Sequence, residues 1–335
     1  MKEFKTGLSL EYYISFISEF TSKKKSLFWE VLDRYKEKHR FYHNIDHIYE
    51  LFEHFYLLLK TGHINTEEYG TLLVLSLYHD AIYDPKSLTN EEDSAELYLT
   101  DFGKKDHIYE AILDTKYNRA FVSPMSGLFT EADLKVLTGN VQQLIAYEKK
   151  VFKEFQFVDW KIYKAKRIEI LKQLIQIVEA RNWSHQLDKL VEYVENFVPK
   201  IAIYAGSFNP FHIGHMYIVE KAEEIFDKVI IARGRNSSKT RERLELPKII
   251  NHHQIENYEG YLTDLINSLE YDVVVVRGIR DAIDLEYEKK FYFYCKKMKP
   301  DLKMVNIFTS PELQSVSSSG ILELPVELQK QFLFE

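Results

Sequence analysis

The chain has 335 residues, 45% hydrophobic and 28% charged, a balance that makes folded protein and leaves room for two cores rather than one. A net charge of −7 argues against a nucleic-acid partner, which would need a basic face, and no apolar run reaches the roughly eighteen residues of a membrane span. The single cysteine, Cys295, excludes a disulfide framework and a thiolate zinc site, and Met1-Lys2-Glu3-Phe4-Lys5 lacks an apolar signal core, so a cytoplasmic protein is expected.

Residues 10 to about 195 read as helix after helix. Segments 51–59, 71–78 and 167–178 carry apolar residues at three- and four-residue spacing, strand-like runs are scarce, and Pro124-Met125-Ser126-Gly127 predicts a loop. From Val198 the pattern changes. Short apolar or β-branched runs at 200–205, 228–232, 272–276 and 303–308 predict strands, and 215–226, 261–269 and 285–299 predict the helices between them. Strand alternating with helix means a parallel sheet covered on both faces. The boundary is expected at Phe197-Val198-Pro199. This gives an all-α domain over 1–197 and an α/β, Rossmann-like domain over 198–335.

The first half holds Arg40-Phe41-Tyr42-His43-Asn44-Ile45-Asp46-His47, then Leu77-Tyr78-His79-Asp80, then Asn90-Glu91-Glu92-Asp93-Ser94-Ala95, and later Glu131-Ala132-Asp133. A carboxylate at the end of an apolar helix is costly to bury unless it is paired or bound to a metal. Imidazole and carboxylate together suit a divalent transition metal or magnesium. His43, His79, Asp80 and Asp133 would supply four ligands and leave positions open for water and phosphate. These segments resemble the HD-domain metal-dependent phosphohydrolases over roughly residues 30–180. The resemblance implies a divalent ion (Mn, Fe, Mg, Ni or Zn) on those four residues. It places His47, one turn after His43, against substrate phosphate or a second metal, and makes Asp84 and Glu91 candidates to orient water. The HD substrate would be a nucleotide or a related phosphate ester.

The strongest signal in the second half is Gly206-Ser207-Phe208-Asn209-Pro210-Phe211-His212-Ile213-Gly214-His215. A strand ends, a turn follows, and His212-x-Gly214-His215 opens a helix. In open α/β sheets ligands sit at the carboxyl ends of strands, where helix N-termini face them. Gly214 is expected to let the backbone approach a phosphate, with both imidazoles turned to the same anion. Three more pieces follow in order: Asn236-Ser237-Ser238-Lys239, then Val276-Arg277-Gly278-Ile279-Arg280 with Asp284-Leu285-Glu286-Tyr287-Glu288, then Val316-Ser317-Ser318-Ser319. Together they resemble the nucleotidyltransferase superfamily with the His-x-Gly-His signature, and within it the bacterial phosphopantetheine adenylyltransferases, over nearly all of 200–325.

That resemblance implies a bifunctional chain whose second half moves AMP from ATP, taken with Mg2+, to a phosphorylated small molecule. His215 would stabilise the α-phosphate in the transition state, with His212 on the same phosphates. Ser207 and Lys239 would hold the acceptor phosphate, Lys239 bridging to the nucleotide, and Arg280 would clamp the β- and γ-phosphates. Arg277 reads as an acceptor-side or structural residue. Tyr287 would line the pantetheine arm, Glu288 would orient the nucleotide, and Ser317, Ser318 and Ser319 would cap the triphosphate. Phe208 and Gly278 belong to the same binding turns. Such transferases often assemble as homo-oligomers. Three positions depart from the pattern: Leu322 replaces a basic residue, the 239–253 segment is short, and His212 replaces a threonine. They keep open an acceptor such as nicotinamide mononucleotide or a sugar phosphate, and a nucleotide-binding sensor that regulates the HD domain.

Overall fold

The structure, a computed structural model, describes residues 6–116, 124–235 and 244–334. The Asn236–Lys239 motif, and with it the acceptor-phosphate role expected of Lys239, lies outside the described residues. The chain forms two compact units. They do not divide at 197/198. The first comprises residues 1–154 and 169–193, and the second residues 155–168 and 194–335.

The first unit is helical. Its helices are α1 (Leu10–Thr21), α2 (Lys25–Arg34), α3 (Ile45–Lys60), α4 (Thr66–Tyr78), α5 (Asn90–Phe102), α6 (His107–Asp114), α7 (Pro124–Asp133) and α8 (Val141–Glu154). Parts of α9 (Trp160–Ala180) and α10 (Leu187–Asn196) join them. α4 is the central helix: every residue from Tyr69 to Tyr78 is buried, as a helix apolar on all sides must be. Its start is fixed by a capping box in which Asn65 Oδ1 accepts from Glu68 N–H and Glu68 Oε2 accepts from Asn65 N–H. Gly70 leaves space for the Phe20 ring, whose atoms stand 2.5 Å from where a Cβ would lie. The loop expected at Pro124-Met125-Ser126-Gly127 is instead the first turn of α7. Proline fits there because its missing N–H has no helical acceptor in a first turn.

The second unit is built on a five-stranded parallel sheet of β1 (Ile201–Gly206), β2 (Lys228–Arg235), β3 (Gln254–Glu259), β4 (Val274–Ile279) and β5 (Lys303–Phe308), in the order β3-β2-β1-β4-β5. Helices α11 (Ile213–Glu223), α12 (Leu262–Ser268), α13 (Ala282–Met298), α14 (Ser318–Glu323) and α15 (Val326–Gln329) complete it. β1 is central and buried from Ile201 to Ala205, hence its unbroken apolar run. The order turns back between β1 and β4, so a crevice opens at their carboxyl ends.

Residues 155–168 are part of this unit because its core holds them. Lys228, with its side chain buried, donates through Nζ to the carbonyls of Gln156 and Val158. Gln254 N–H donates to the Gln156 carbonyl at 3.0 Å, and Tyr271 Oη–H to Asp159 Oδ2 at 2.7 Å. Burial pushes the Lys228 amine down to about 7.

Candidate active sites

In the second unit the crevice is a cavity of about 570 Å³, lined from the end of β1, the end of β4, the start of α11 and the Ser317–Ser319 turn. It gathers Ser207, Phe208, His212, Gly214, His215, Arg277, Gly278, Arg280, Tyr287, Glu288, Ser317, Ser318 and Ser319, so every site residue expected of this half meets there apart from Lys239. Asp284 and Thr309 also line it and had no role in the sequence reading, and Leu322 lines it where a basic residue was expected. Gly206 is required by close approach, since a Cβ there would meet the Phe208 ring at 2.8 Å. Phe208 itself takes a left-handed backbone, with φ of 47°.

The start of α11 decides how the two histidines are protonated. His212 is the N-cap, and its Nδ1 accepts from Gly214 N–H at 3.1 Å. His215 Nδ1 accepts from His212 N–H at 3.2 Å, which closes a capping box made of imidazoles. With both Nδ1 atoms accepting, each neutral ring carries its proton on Nε2. The rings stack at 3.7 Å between centroids. Phe208 and Phe211 stand 5.1 and 5.3 Å from the His215 ring. Burial, His212, Arg280 and Arg277 hold His215 well below the usual histidine range, and burial and Arg280 push His212 down to about 4. The crevice therefore offers two neutral Nε2–H donors. Gly214 has a different purpose from the one expected: a Cβ there would stand 3.0 Å from the His212 ring, so glycine makes room for the N-cap imidazole.

The two arginines are already engaged by protein. Arg277 donates through Nε and Nη2 to Glu288 at 2.8 and 2.7 Å and through Nη1 to the Ala205 carbonyl, which ties β4, α13 and β1 together. Glu288 is thus the partner of Arg277. Arg280 forms a two-pronged pair with Asp284 at 2.8 and 2.9 Å and reaches the Val316 carbonyl at 3.4 Å. Only its remaining N–H bonds are left for a nucleotide. Ser317 Oγ accepts from Gly320 N–H at 3.1 Å as the N-cap of α14, and Ser318 Oγ–H donates to the Pro210 carbonyl at 3.0 Å. Tyr287 is exposed at the mouth.

In the first unit a polar cluster lies among α3, the end of α4 and the end of α7. Ligand atoms of His47, His79 and Asp80 fall within 4.8 Å of one another. Asp133 Oδ1 is 3.1 Å from His47 Nε2 and 3.8 Å from His79 Nε2, and Asp80 Oδ2 is 3.1 Å from His79 Nε2. Both Nε2 atoms are buried and neither has a hydrogen bond of acceptable geometry. His79 Nδ1–H donates to the Ser76 carbonyl at 2.9 Å, which turns its Nε2 toward the cluster. Burial would lower the His79 ring, but Asp80 and Asp133 outweigh it and push it up to about 9. Burial would raise Asp80, yet the three histidines hold it far below the carboxylate range. Buried imidazoles without partners, converging on two carboxylates, fit a divalent cation.

This corrects the expected ligand set. His47 stands in the cluster where His43 was expected. Asn44 caps α3, which puts His47 in the first turn and leaves His43 in the loop before it. His43 Nδ1 is instead 2.7 Å from Glu154 Oε2. Burial would lower the His43 ring, but the Glu154 carboxylate prevails and raises it. Glu154 was absent from the sequence reading. Asp84 is exposed and bound up in a local turn, where its Oδ1 accepts from Lys86 N–H at 2.9 Å. Glu91 is half-buried, 3.8 Å from Lys116 Nζ, with its carboxyl raised by burial and by the charges of Asp80 and Glu92.

A parallel sheet in this order, with a His-x-Gly-His helix start at its turning point, defines a nucleotidyltransferase domain, and a family model described as cytidylyltransferase-like matches residues 203–323. Phosphopantetheine adenylyltransferases match 37% of the chain. That of Buchnera aphidicola subsp. Schizaphis graminum is 33% identical over 135 residues, 81% of its length. That of Streptococcus suis is 37% identical over 136 residues, 83% of its length, and that of Mycoplasma capricolum 36% over 134 residues, 96% of its length. Through its C-terminal part the chain belongs to the phosphopantetheine adenylyltransferase family.

Proposed function

We propose that the C-terminal unit transfers AMP from ATP to 4′-phosphopantetheine, giving dephospho-CoA and pyrophosphate. The observation that carries this is the pair of neutral Nε2–H donors at the start of α11, in a crevice shared with Arg280 and the Ser317–Ser319 turn. An oxygen of the acceptor phosphate bonds to the α-phosphorus while the α-phosphorus bond to the pyrophosphate oxygen breaks. No proton has to move in this exchange, so catalysis is positioning and charge stabilisation. His215 and His212 donate to the α-phosphate oxygens as charge builds there, and their aromatic and stacked surroundings fix the donors beforehand. Arg280, oriented by Asp284, turns its free N–H bonds toward the leaving phosphates. ATP enters as its magnesium complex, which screens those phosphates. Pyrophosphate release should be measured with 4′-phosphopantetheine, nicotinamide mononucleotide and sugar phosphates. Release with another acceptor alone would reassign the substrate, and tight ATP binding without release would favour a nucleotide sensor.

A second reading concerns the N-terminal unit, a metal-dependent phosphohydrolase of the HD type, favoured by the unpartnered Nε2 atoms of His47 and His79. His47, His79, Asp80 and Asp133 would hold a divalent ion. The ion would supply an activated water and a counter-charge to phosphate. Elemental analysis of the purified chain and assays with phosphate monoesters test this reading; protein purified in chelator-free buffer with no stoichiometric metal would overturn it.

A further inference from the structure

Glu154 is the most thoroughly bonded carboxylate of the first unit. It ends α8 and is fully buried. Its Oε1 accepts from the backbone N–H of Phe41, Tyr42 and His43 at 2.9, 2.6 and 2.9 Å. Its Oε2 accepts from His43 Nδ1 at 2.7 Å and from Tyr83 Oη–H at 2.8 Å. None of these partners is a lysine or arginine, so among the described residues bonded to Glu154 it is His43 that is placed to balance the buried charge, and a buried carboxylate needs such a partner. The same carboxylate grips the backbone and the ring of His43, so the ring cannot turn without breaking bonds.

The ring is also walled in. Tyr83 stacks on it at 4.3 Å and Tyr42 meets it edge-on at 4.9 Å, while the His47 ring lies 6.4 Å away. The His43 side chain nevertheless keeps a quarter of its surface open, against 5% for His47 and 1% for His79. A histidine kept only to neutralise Glu154 would have no need of that opening. Nδ1 is turned inward to the carboxylate, and the one polar atom left on the ring is Nε2, beside the cluster but outside its ligand set.

We infer that His43 contacts a phosphate group bound at the N-terminal cluster, through Nε2–H, and that Glu154 is the residue that positions it. This rests on the metal-centre reading above. A phosphate held by a cation on His47, His79, Asp80 and Asp133 keeps oxygens free, and an imidazole fixed next to the ligands by a carboxylate is a preorganised donor to one of them.

The test uses the full chain, manganese as the metal and inorganic phosphate as the probe. Bound metal per chain is measured by elemental analysis and phosphate affinity by calorimetry, for wild type, His43→Gln, Glu154→Gln and Asp80→Ala. The expected result is wild-type metal content in His43→Gln and Glu154→Gln with phosphate bound at least about tenfold more weakly. Loss of metal from His43→Gln would make His43 a ligand and overturn the inference. Unchanged phosphate affinity in that variant, or a manganese-loaded wild type that binds no phosphate, would overturn it as well. If Glu154→Gln fails to fold, as its thermal melt would show, His43→Gln decides alone. Failure of the underlying reading looks different: wild type takes up no metal, or Asp80→Ala keeps all of it.

Discussion

His215 and His212 carry the clearest single-residue consequences. Replacing His215 with Ala should lower turnover by about a hundredfold or more, with ATP affinity near wild type, because the lost donor matters chiefly as charge develops on the α-phosphate. Pyrophosphate release and equilibrium ATP titration on one preparation check this; turnover above about a tenth of wild type would remove His215 from the role. His212 also makes stability depend on pH. Its folded value of about 4 lies below the unfolded histidine value, so the unfolded chain binds more protons between the two. The stabilisation is complete above the unfolded value and is lost progressively as pH falls toward the folded one, by at most on the order of 3 kcal/mol. His212→Thr keeps an oxygen cap without the titration, so urea midpoints followed from pH 7 to pH 4 should slope less than in wild type. The His-x-Gly-His signature was legible because its ligand chemistry and helix start coincide within four residues. The places of His43 and His47 relative to the cluster were not, because four-residue spacing suits either one until the start of α3 is known. Glu154 was invisible for another reason: the backbone N–H groups it accepts from lie 111 to 113 residues earlier in the chain.

Among elements, the strands were read where they carry apolar or branched runs and missed where they do not. β1, β2, β4 and β5 carry apolar or branched runs, whereas β3, Gln-Ile-Glu-Asn-Tyr-Glu at the sheet edge, has only two apolar side chains and looks like loop. α7 was missed because Pro124 and Gly127 read as breakers, although proline is at home in a first turn. β2 owes part of its seating to Lys228, whose amine meets two carbonyls of the 155–168 segment. Lys228→Met should remove the donor from both and destabilise the C-terminal unit by about 1–3 kcal/mol. The measurement is the urea concentration at which adenylyl transfer is half lost. An unchanged midpoint would mean that the segment is held without this lysine.

For the molecule as a whole, each unit has its own core, and the two clusters of site residues do not interleave: His43 to Glu154 lie in one unit, Gly206 to Leu322 in the other. Asp80→Ala should therefore empty the N-terminal cluster of the metal proposed for it, since three remaining ligands would compensate a divalent charge poorly, and leave adenylyl transfer unchanged within about twofold. A transferase rate that falls together with metal content would show that the units are coupled. The change in composition at Val198 was visible in the sequence. The membership of 155–168 was not, because α9 runs without a break from one unit into the other and leaves no linker to read. That arrangement has a consequence for synthesis on the ribosome. The carbonyl of Gln156 emerges 72 residues ahead of the lysine that will cap it, a delay of several seconds at roughly 10 residues per second. During that interval residues 155–168 have left the tunnel before the sheet they belong to exists. The N-terminal unit cannot close either until residue 193 is out. The nascent chain thus passes through a stage in which neither half is finished.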